Sequence, residues 1–217
     1  FVRCIDANGN VNEDEFVFNF CVDPSPDTTP PVIVDTSIIP GSPVAFATGE
    51  VDLDVFVNEP SECKWSIQDK NYEDMENEMS CSKSVTEINA EQLYTCSTTL
   101  TGIKDREENV YYFRCKDQPS KPENERNVNT QSFVFSLRGT EPLDIISVGP
   151  ENETITDSVD VVTVDLEVET SNGADEGAAI CYFSDTGEEG SFVEMFETNS
   201  FAHRQTLSLT AGEYNFF

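Results

Sequence analysis

Tyr111-Tyr112-Phe113-Arg114-Cys115-Lys116-Asp117 and Phe1-Val2-Arg3-Cys4-Ile5-Asp6 carry the same apolar-Arg-Cys-x-Asp order. In the first stretch Tyr111, Phe113 and Cys115 occupy alternate positions, which places them on one face of a β-strand. The second reads as the interior of such a strand, and Gly212-Glu213-Tyr214-Asn215-Phe216-Phe217 reads as the lead-in that it lacks. The 217 residues are therefore expected to be one period of a head-to-tail array.

Two segments around these strands carry matching marks in the same order. The first has Cys63-Lys64-Trp65-Ser66, Tyr72 with Met75, Cys96-Ser97-Thr98-Thr99-Leu100, the 111–117 strand and Ser132-Phe133-Val134-Phe135. The second has Cys181-Tyr182-Phe183-Ser184, Phe192 with Met195, His203-Arg204-Gln205-Thr206-Leu207 and Tyr214 to Phe217. Its continuation lies at the other end of the chain, in Val2-Arg3-Cys4, Asp6 and Glu15-Phe16-Val17-Phe18. Ordered marks recurring at a fixed period are the signature of a repeat architecture.

The length suits two domains of roughly 100 residues each. A hydrophobic content of 37%, with 15 Phe, 6 Tyr and 1 Trp, can build cores of that size. The net charge of -30, from 42 acidic and 12 basic residues, repels nucleic acid and anionic membranes. No apolar run approaches the roughly 20 residues that cross a bilayer, so no membrane insertion is expected in this segment.

Strand signals dominate. Residues 51–57 and 159–168 alternate apolar and polar side chains, as second strands of two sandwiches would. Residues 32–38 and 143–148 are candidate first strands, and 133–137 and 16–20 candidate last strands. Asn8-Gly9 between the Cys4 and Phe16 strands marks a tight hairpin, because both central positions of that turn need positive φ. Only 72–79 could hold a turn or two of helix. The rigid, proline-rich 23–31 segment cannot enter a central strand and reads as a linker. Arg138-Gly139-Thr140-Glu141-Pro142 reads as a shorter join. The expected organisation is an all-β chain of two tandem immunoglobulin-like β-sandwich domains. One is intact over 27–138. The other is split: 140–217 lacks its last strands, and 1–22 supplies the end of one strand and all of the next to a neighbouring unit, through Phe16, Phe18 and Phe20.

Seven cysteines with no C-x-x-C pair point to disulfides and an oxidising, extracellular or cell-surface location. Repeat logic pairs Cys63 with Cys115 and, by the same positions, Cys181 with Cys4, the latter between neighbouring units. Cys81 and Cys96 form the third expected pair, because Cys96 stands where the other copy has His203. Cys21 is left over, either free or joined to another molecule.

The Asp27-Thr28-Thr29-Pro30-Pro31 opening, the Cys-x-[Trp/Phe]-Ser strand and the Tyr-x-Phe-x-Arg-Cys-x-Asp strand resemble the immunoglobulin/fibronectin-III-like repeats of uncharacterised archaeal and bacterial surface proteins. The resemblance covers nearly the whole chain and implies fold and location, since such folds host many functions. One departure is that Phe216, Val2 and Cys4 share a strand face only if Phe217 and Phe1 are one residue counted twice, or if a bulge intervenes. The double count is the preferred explanation.

No catalytic constellation is visible, and no enzyme activity is expected. His203 is the single histidine, so it reads as a packed or capping residue. The 42 acids single out no carboxylate pair, and no phosphate loop is present. Residues 6–13 place oxygen-bearing side chains at alternating positions, but without the glycine and terminal glutamate of a calcium loop, and a hairpin explains them more simply. Calcium at the linker through Asp23 or Asp27 is the alternative to an expectation of no cofactor and no metal. Acidic groups such as Glu176, Glu188 and Glu189 read as solvated loop faces. Asn152-Glu153-Thr154 is an N-glycosylation sequon, so a glycan is an expected partner alongside copies of the same chain. These readings point to a structural subunit of an extracellular filament or surface array, built by strand complementation or covalent tandem repetition. The alternative is an adhesive or ligand-binding stalk module, stiffened by calcium.

Overall fold

A computed structural model describes residues 2–14, 16–22 and 26–217. Nine strands lie between the linker and residue 139: β1 (Ile33–Thr36), β2 (Ser42–Val44), β3 (Glu50–Val57), β4 (Ser61–Ser66), β5 (Asn77–Glu78), β6 (Ser80–Cys81), β7 (Tyr94–Thr101), β8 (Glu108–Asp117) and β9 (Phe133–Gly139). They form a four-stranded sheet, β1-β3-β7-β6, and a five-stranded sheet, β2-β9-β8-β4-β5. Every pairing is antiparallel except β2 with β9, which is parallel.

The alternation read from the sequence becomes the core. Leu53, Val55 and Val57 of β3 and Leu100 of β7 face Trp65 of β4, Tyr111 and Phe113 of β8, and Phe135 and Leu137 of β9. Their outward neighbours satisfy one another across the sheet: Ser97 and Thr99 donate to Asp54 and Asp52 at 2.6 and 2.7 Å. Trp65 is accommodated because its Nε1 donates to Thr98 at 2.9 Å, and its ring meets Tyr111 edge-on at 5.5 Å.

Residues 72–79 hold one short 3-10 turn, Tyr72–Asp74, and then β5, which pairs with β4. The excursion is seated by Lys116, only 5% exposed, whose ammonium lies 4.6 Å from the Tyr72 ring centroid and binds both Glu73 and Glu123. Burial first, and then the Glu62 charge, pushes the Tyr72 hydroxyl up to about 12.

The expected join at 138–142 begins later than the sequence suggested, because Arg138 and Gly139 still belong to β9. Thr140 also remains tied down, donating to the Val44 carbonyl at 2.7 Å. Beyond it lie β10 (Leu143–Gly149), β11 (Val162–Asn172), β12 (Tyr182–Phe183), β13 (Val193–Glu194) and β14 (Ala202–Leu209). β10-β11-β14 form one sheet and β12-β13 a separate pair. Residues 159–161, read as the start of a strand, are exposed and precede β11.

A Cβ at Gly139 would stand 2.0 Å from the Lys104 carbonyl oxygen, a backbone atom that cannot swing aside. Gly139→Ala is therefore expected to destabilise the chain by about 1–3 kcal/mol in urea titration, as overpacked sites do.

Candidate assembly interface

Several hydrogen bonds recur at equivalent positions in the two halves of the chain. Asp52 accepts from Thr99 at 2.7 Å, and Asp165 accepts from Thr206 at 2.6 Å. Met79 donates to the Cys63 carbonyl at 3.0 Å, and Met195 to that of Cys181 at 2.9 Å. The counterpart of Met195 is thus Met79, four positions from the Met75 expected from sequence order, because the 3-10 turn adds residues to the first copy. Trp65 meets Tyr111 edge-on, and Phe183 meets Phe216 edge-on at 6.2 Å.

The closing strands follow the same rule, although in the second set they lie at the other end of the chain. Phe113 pairs with Phe133 in β8–β9, and Val2 pairs with Phe16. Cys115 donates to Asn129 Oδ1 at 2.7 Å, as Cys4 does to Asn12 Oδ1 at 2.6 Å. The Asp117 carboxylate accepts from the Asn127 backbone at 2.6 Å and side chain at 2.8 Å. Asp6 accepts from the Asn10 backbone at 2.9 Å and side chain at 2.8 Å. Asn10 and Asn12 belong to the 6–13 stretch that reads as a hairpin, but the clasp they share with Asn127 and Asn129 is not evident from it. Their signal is an Asn-Val-Asn tripeptide ahead of Phe133 and again ahead of Phe16.

The same bonds give residues 6–13 their explanation. The Asp6 carboxylate accepts from the Asn8 backbone and from the backbone and side chain of Asn10, which holds the carboxyl below its usual range, the Asn10 side chain contributing most. The tight turn differs from the one expected: its Gly9→Asp6 backbone hydrogen bond at 3.0 Å places Ala7 and Asn8 at the centre, and of the Asn8-Gly9 pair Gly9 alone has positive φ, +88.

The equivalent closing strands differ in burial. Phe135 and Leu137 are 0% exposed, whereas Phe18 and Phe20, at the same positions after the paired phenylalanine, are 78% and 77% exposed. Phe16 is exposed as well. Leu100 of β7 is fully buried, but its counterpart Leu207 of β14 is only half-buried, like Leu166 and Val168 of β11. Among the described residues no strand pairing joins 2–22 to 140–217. An apolar face thus lies open in the second half, and among the described residues the apolar hairpin of the shape that covers it in the first half forms no strand pairing with either half.

No family model and no curated protein sequence matches the chain. Among the described residues, no helix is long and apolar enough to cross a membrane.

Cys63 is bonded to Cys115 and Cys81 to Cys96, each pair directly opposite on adjacent strands. The sequence separation of 52 in the first makes it worth about 4 kcal/mol by loop-closure entropy. Cys4, Cys21 and Cys181 are free within the single chain. Asn152 is exposed and adopts φ +53. Whether Phe1 and Phe217 are one residue turns on residue 1, outside the described residues. Phe217 itself exchanges hydrogen bonds with Ser184 at 2.8 and 2.9 Å, where Tyr112 faces Ser66 in the first copy.

His203 replaces Cys96, and Thr198 replaces Cys81. Thr198 bonds His203 Nδ1 at 2.9 Å, and Thr170 bonds Nε2 at 2.9 Å. At 2% exposure the ring is a packed polar clasp in place of a disulfide. Burial lowers its pKa, so the stability it supports is complete above the ordinary histidine range and is lost as pH falls through the folded value. On going from about pH 7.5 to about pH 5, amide protection factors, which divide out the slower intrinsic exchange in acid, are expected to fall in β11 and β14 and to hold in β7, which the Cys81–Cys96 bond ties to β6.

Asp23, one of the two linker carboxylates considered for calcium, lies outside the described residues. Asp27 is found with Glu59 and Asp117, their carboxylate oxygens all within 4.8 Å of one another. These are the residues that could hold a cation. Asp117 is already engaged by Asn127, however, and Asp27 by Thr29 at 3.0 and 2.8 Å. Burial, followed by the Asp27 and Asp117 charges, raises the Glu59 pKa. A carboxyl raised on folding contributes stability below its unfolded pKa and loses it as pH rises. Glu59→Gln is therefore expected to raise the melting temperature at neutral pH in chelator, with the gain vanishing in acid.

Proposed function

We propose that this chain is a structural repeat of an extracellular filament or surface array, built head to tail from immunoglobulin-like sandwiches. Residues 2–22 close a sandwich whose opening strands are those of 140–217 in another copy. The carrying observation is the contrast between Phe18 and Phe20, nearly fully exposed, and Phe135 and Leu137, at 0%, in hairpins of identical register. Burying each phenylalanine is worth about 1.5–3 kcal/mol. Pairing the open edge of β12 removes unsatisfied backbone groups as well.

Supplying a strand to a partner's open sheet is a general mode of recognition. Because donor and acceptor lie on different surfaces of the chain, the contact is heterologous and extends in one direction. The charge of -30 opposes side-by-side association and leaves the end-to-end route. The two disulfides support an oxidising extracellular setting, and the exposed Asn152 sequon supports a glycan there.

In reducing buffer at moderate salt, electron microscopy of the 217-residue chain is expected to show uniform rods that lengthen with protein concentration. Phe18→Asp with Phe20→Asp should abolish growth without altering the melting of the 33–139 sheets. Particles of one fixed length at every concentration would favour a stalk or adhesive module instead.

A further inference from the structure

We propose that the joint between copies is covalent: Cys4 of one copy forms a disulfide with Cys181 of the next, with the 2–16 hairpin seated beside β12 in a single register. The inference rests on the head-to-tail reading and adds to it the register and the bond.

The first copy supplies the template. There β4 runs against β8 with Cys63 opposite Cys115, Trp65 opposite Phe113 and Ser66 opposite Tyr112. The acceptor already reproduces one end of this ladder, since Ser184 and Phe217 exchange hydrogen bonds at the Ser66–Tyr112 position. The donor reproduces the other side, since Val2 pairs with Phe16 as Phe113 does with Phe133. Seating Val2 opposite Phe183 continues the strand from the Phe217 position and brings Cys4 opposite Cys181. A one-residue slip would turn Cys4, Phe18 and Phe20 to the wrong face together, so burial of the phenylalanines enforces the register that aligns the sulfurs.

Both cysteines have the right surroundings. Cys181 stands immediately before β12, held by its backbone contacts to Met195 and to Thr198 Oγ1 at 2.9 and 2.8 Å. Cys4 is fixed in the hairpin by Asn12, and both thiols are free in the single chain. Cys21 does not compete for this site. Counting from the Phe16–Phe133 equivalence, it falls at the position of Arg138, which is exposed.

The chemistry balances with a small-molecule disulfide as oxidant. One thiol loses its proton and, as thiolate, attacks oxidised glutathione, forming a mixed disulfide and releasing one glutathione thiolate. The second thiolate then attacks the protein sulfur of that mixed disulfide, the Cys4–Cys181 bond forms, and a second glutathione leaves. Two protein thiols are oxidised and one glutathione disulfide is reduced to two thiols.

The test uses the full chain carrying Cys21→Ser, mixed in equal parts as isotope-labelled and unlabelled protein, incubated and then treated with oxidised glutathione. Expected are a ladder of linked species on a non-reducing gel and a Cys4–Cys181 peptide of which about half joins a labelled to an unlabelled chain, the statistical value for bonds between molecules. Cys4→Ser and Cys181→Ser variants should each stay unlinked alone and give only a linked pair when mixed. A Cys4–Cys181 peptide with no mixed labelling, links of Cys4 to Cys4 or Cys181 to Cys181 in its place, or no link at all overturns the proposal. Rods seen in reducing buffer without any link would leave the head-to-tail reading standing and remove only the covalent joint; the loss of both would remove the reading too.

Discussion

Closure of a two-sheet core by its last hairpin is the constraint on which the rest depends. In the first copy β9 contributes Phe135 and Leu137 to the core, pairs with β8 on one side and accepts β2 in parallel on the other. Without that hairpin β2 has no partner, β4 shows a bare edge, and the inner face of β3 and β7 meets water. The second half of the chain displays this condition: residues 151–161, which follow β10 as β2 follows β1, form no strand, and β11 and β14 keep half-buried leucines. A strand edge and an apolar face are left open together, and Phe16, Phe18 and Phe20 repeat the spacing of Phe133, Phe135 and Leu137.

The two copies keep one scaffold with different cross-links. A pair of cysteines on β6 and β7 ties the first sheet. In the second, a threonine and a histidine at the same positions make a hydrogen bond of 2.9 Å. The disulfide holds at any pH in an oxidising medium, whereas the histidine clasp depends on a neutral ring. The half that contains the open face is therefore also the half with the weaker, proton-sensitive tie. The complete sandwich has a covalent bond in each sheet, with Cys63 and Cys96 sulfurs 3.4 Å apart across the core.

Charge acts on a longer scale than any of these contacts. Acidic residues fill the outward positions of strands on both copies, where some are held by hydroxyls, as Asp52 is by Thr99 and Asp165 by Thr206. The surplus makes sides repel sides, and salt weakens that repulsion over about 10 Å at 0.1 M.

Much of this was readable in the sequence. Period-2 alternation places Leu53, Val55, Tyr111 and Phe113 inside because a strand has only two faces, and repeated Cys-x-aromatic-Ser and Arg-Cys-x-Asp marks identify equivalent strands across the chain. The Asn-Gly dipeptide placed the hairpin but not its turn, which is centred on Ala7 and Asn8 and leaves Gly9 alone at positive φ. What the sequence could not set was anything decided by neighbours distant along the chain. The insertion that makes Met79 and not Met75 the partner of Met195, the Asn127 and Asn10 clasps on Asp117 and Asp6, and the Thr198–His203 substitute for a disulfide all depend on which strands lie side by side. So does the burial contrast between Phe135 and Phe18, for two identical patterns acquire opposite exposures according to whether a facing sheet is present. Local pattern determines which face of a strand is apolar; only tertiary structure determines what covers it, because burial is a property of the surroundings and not of the residue.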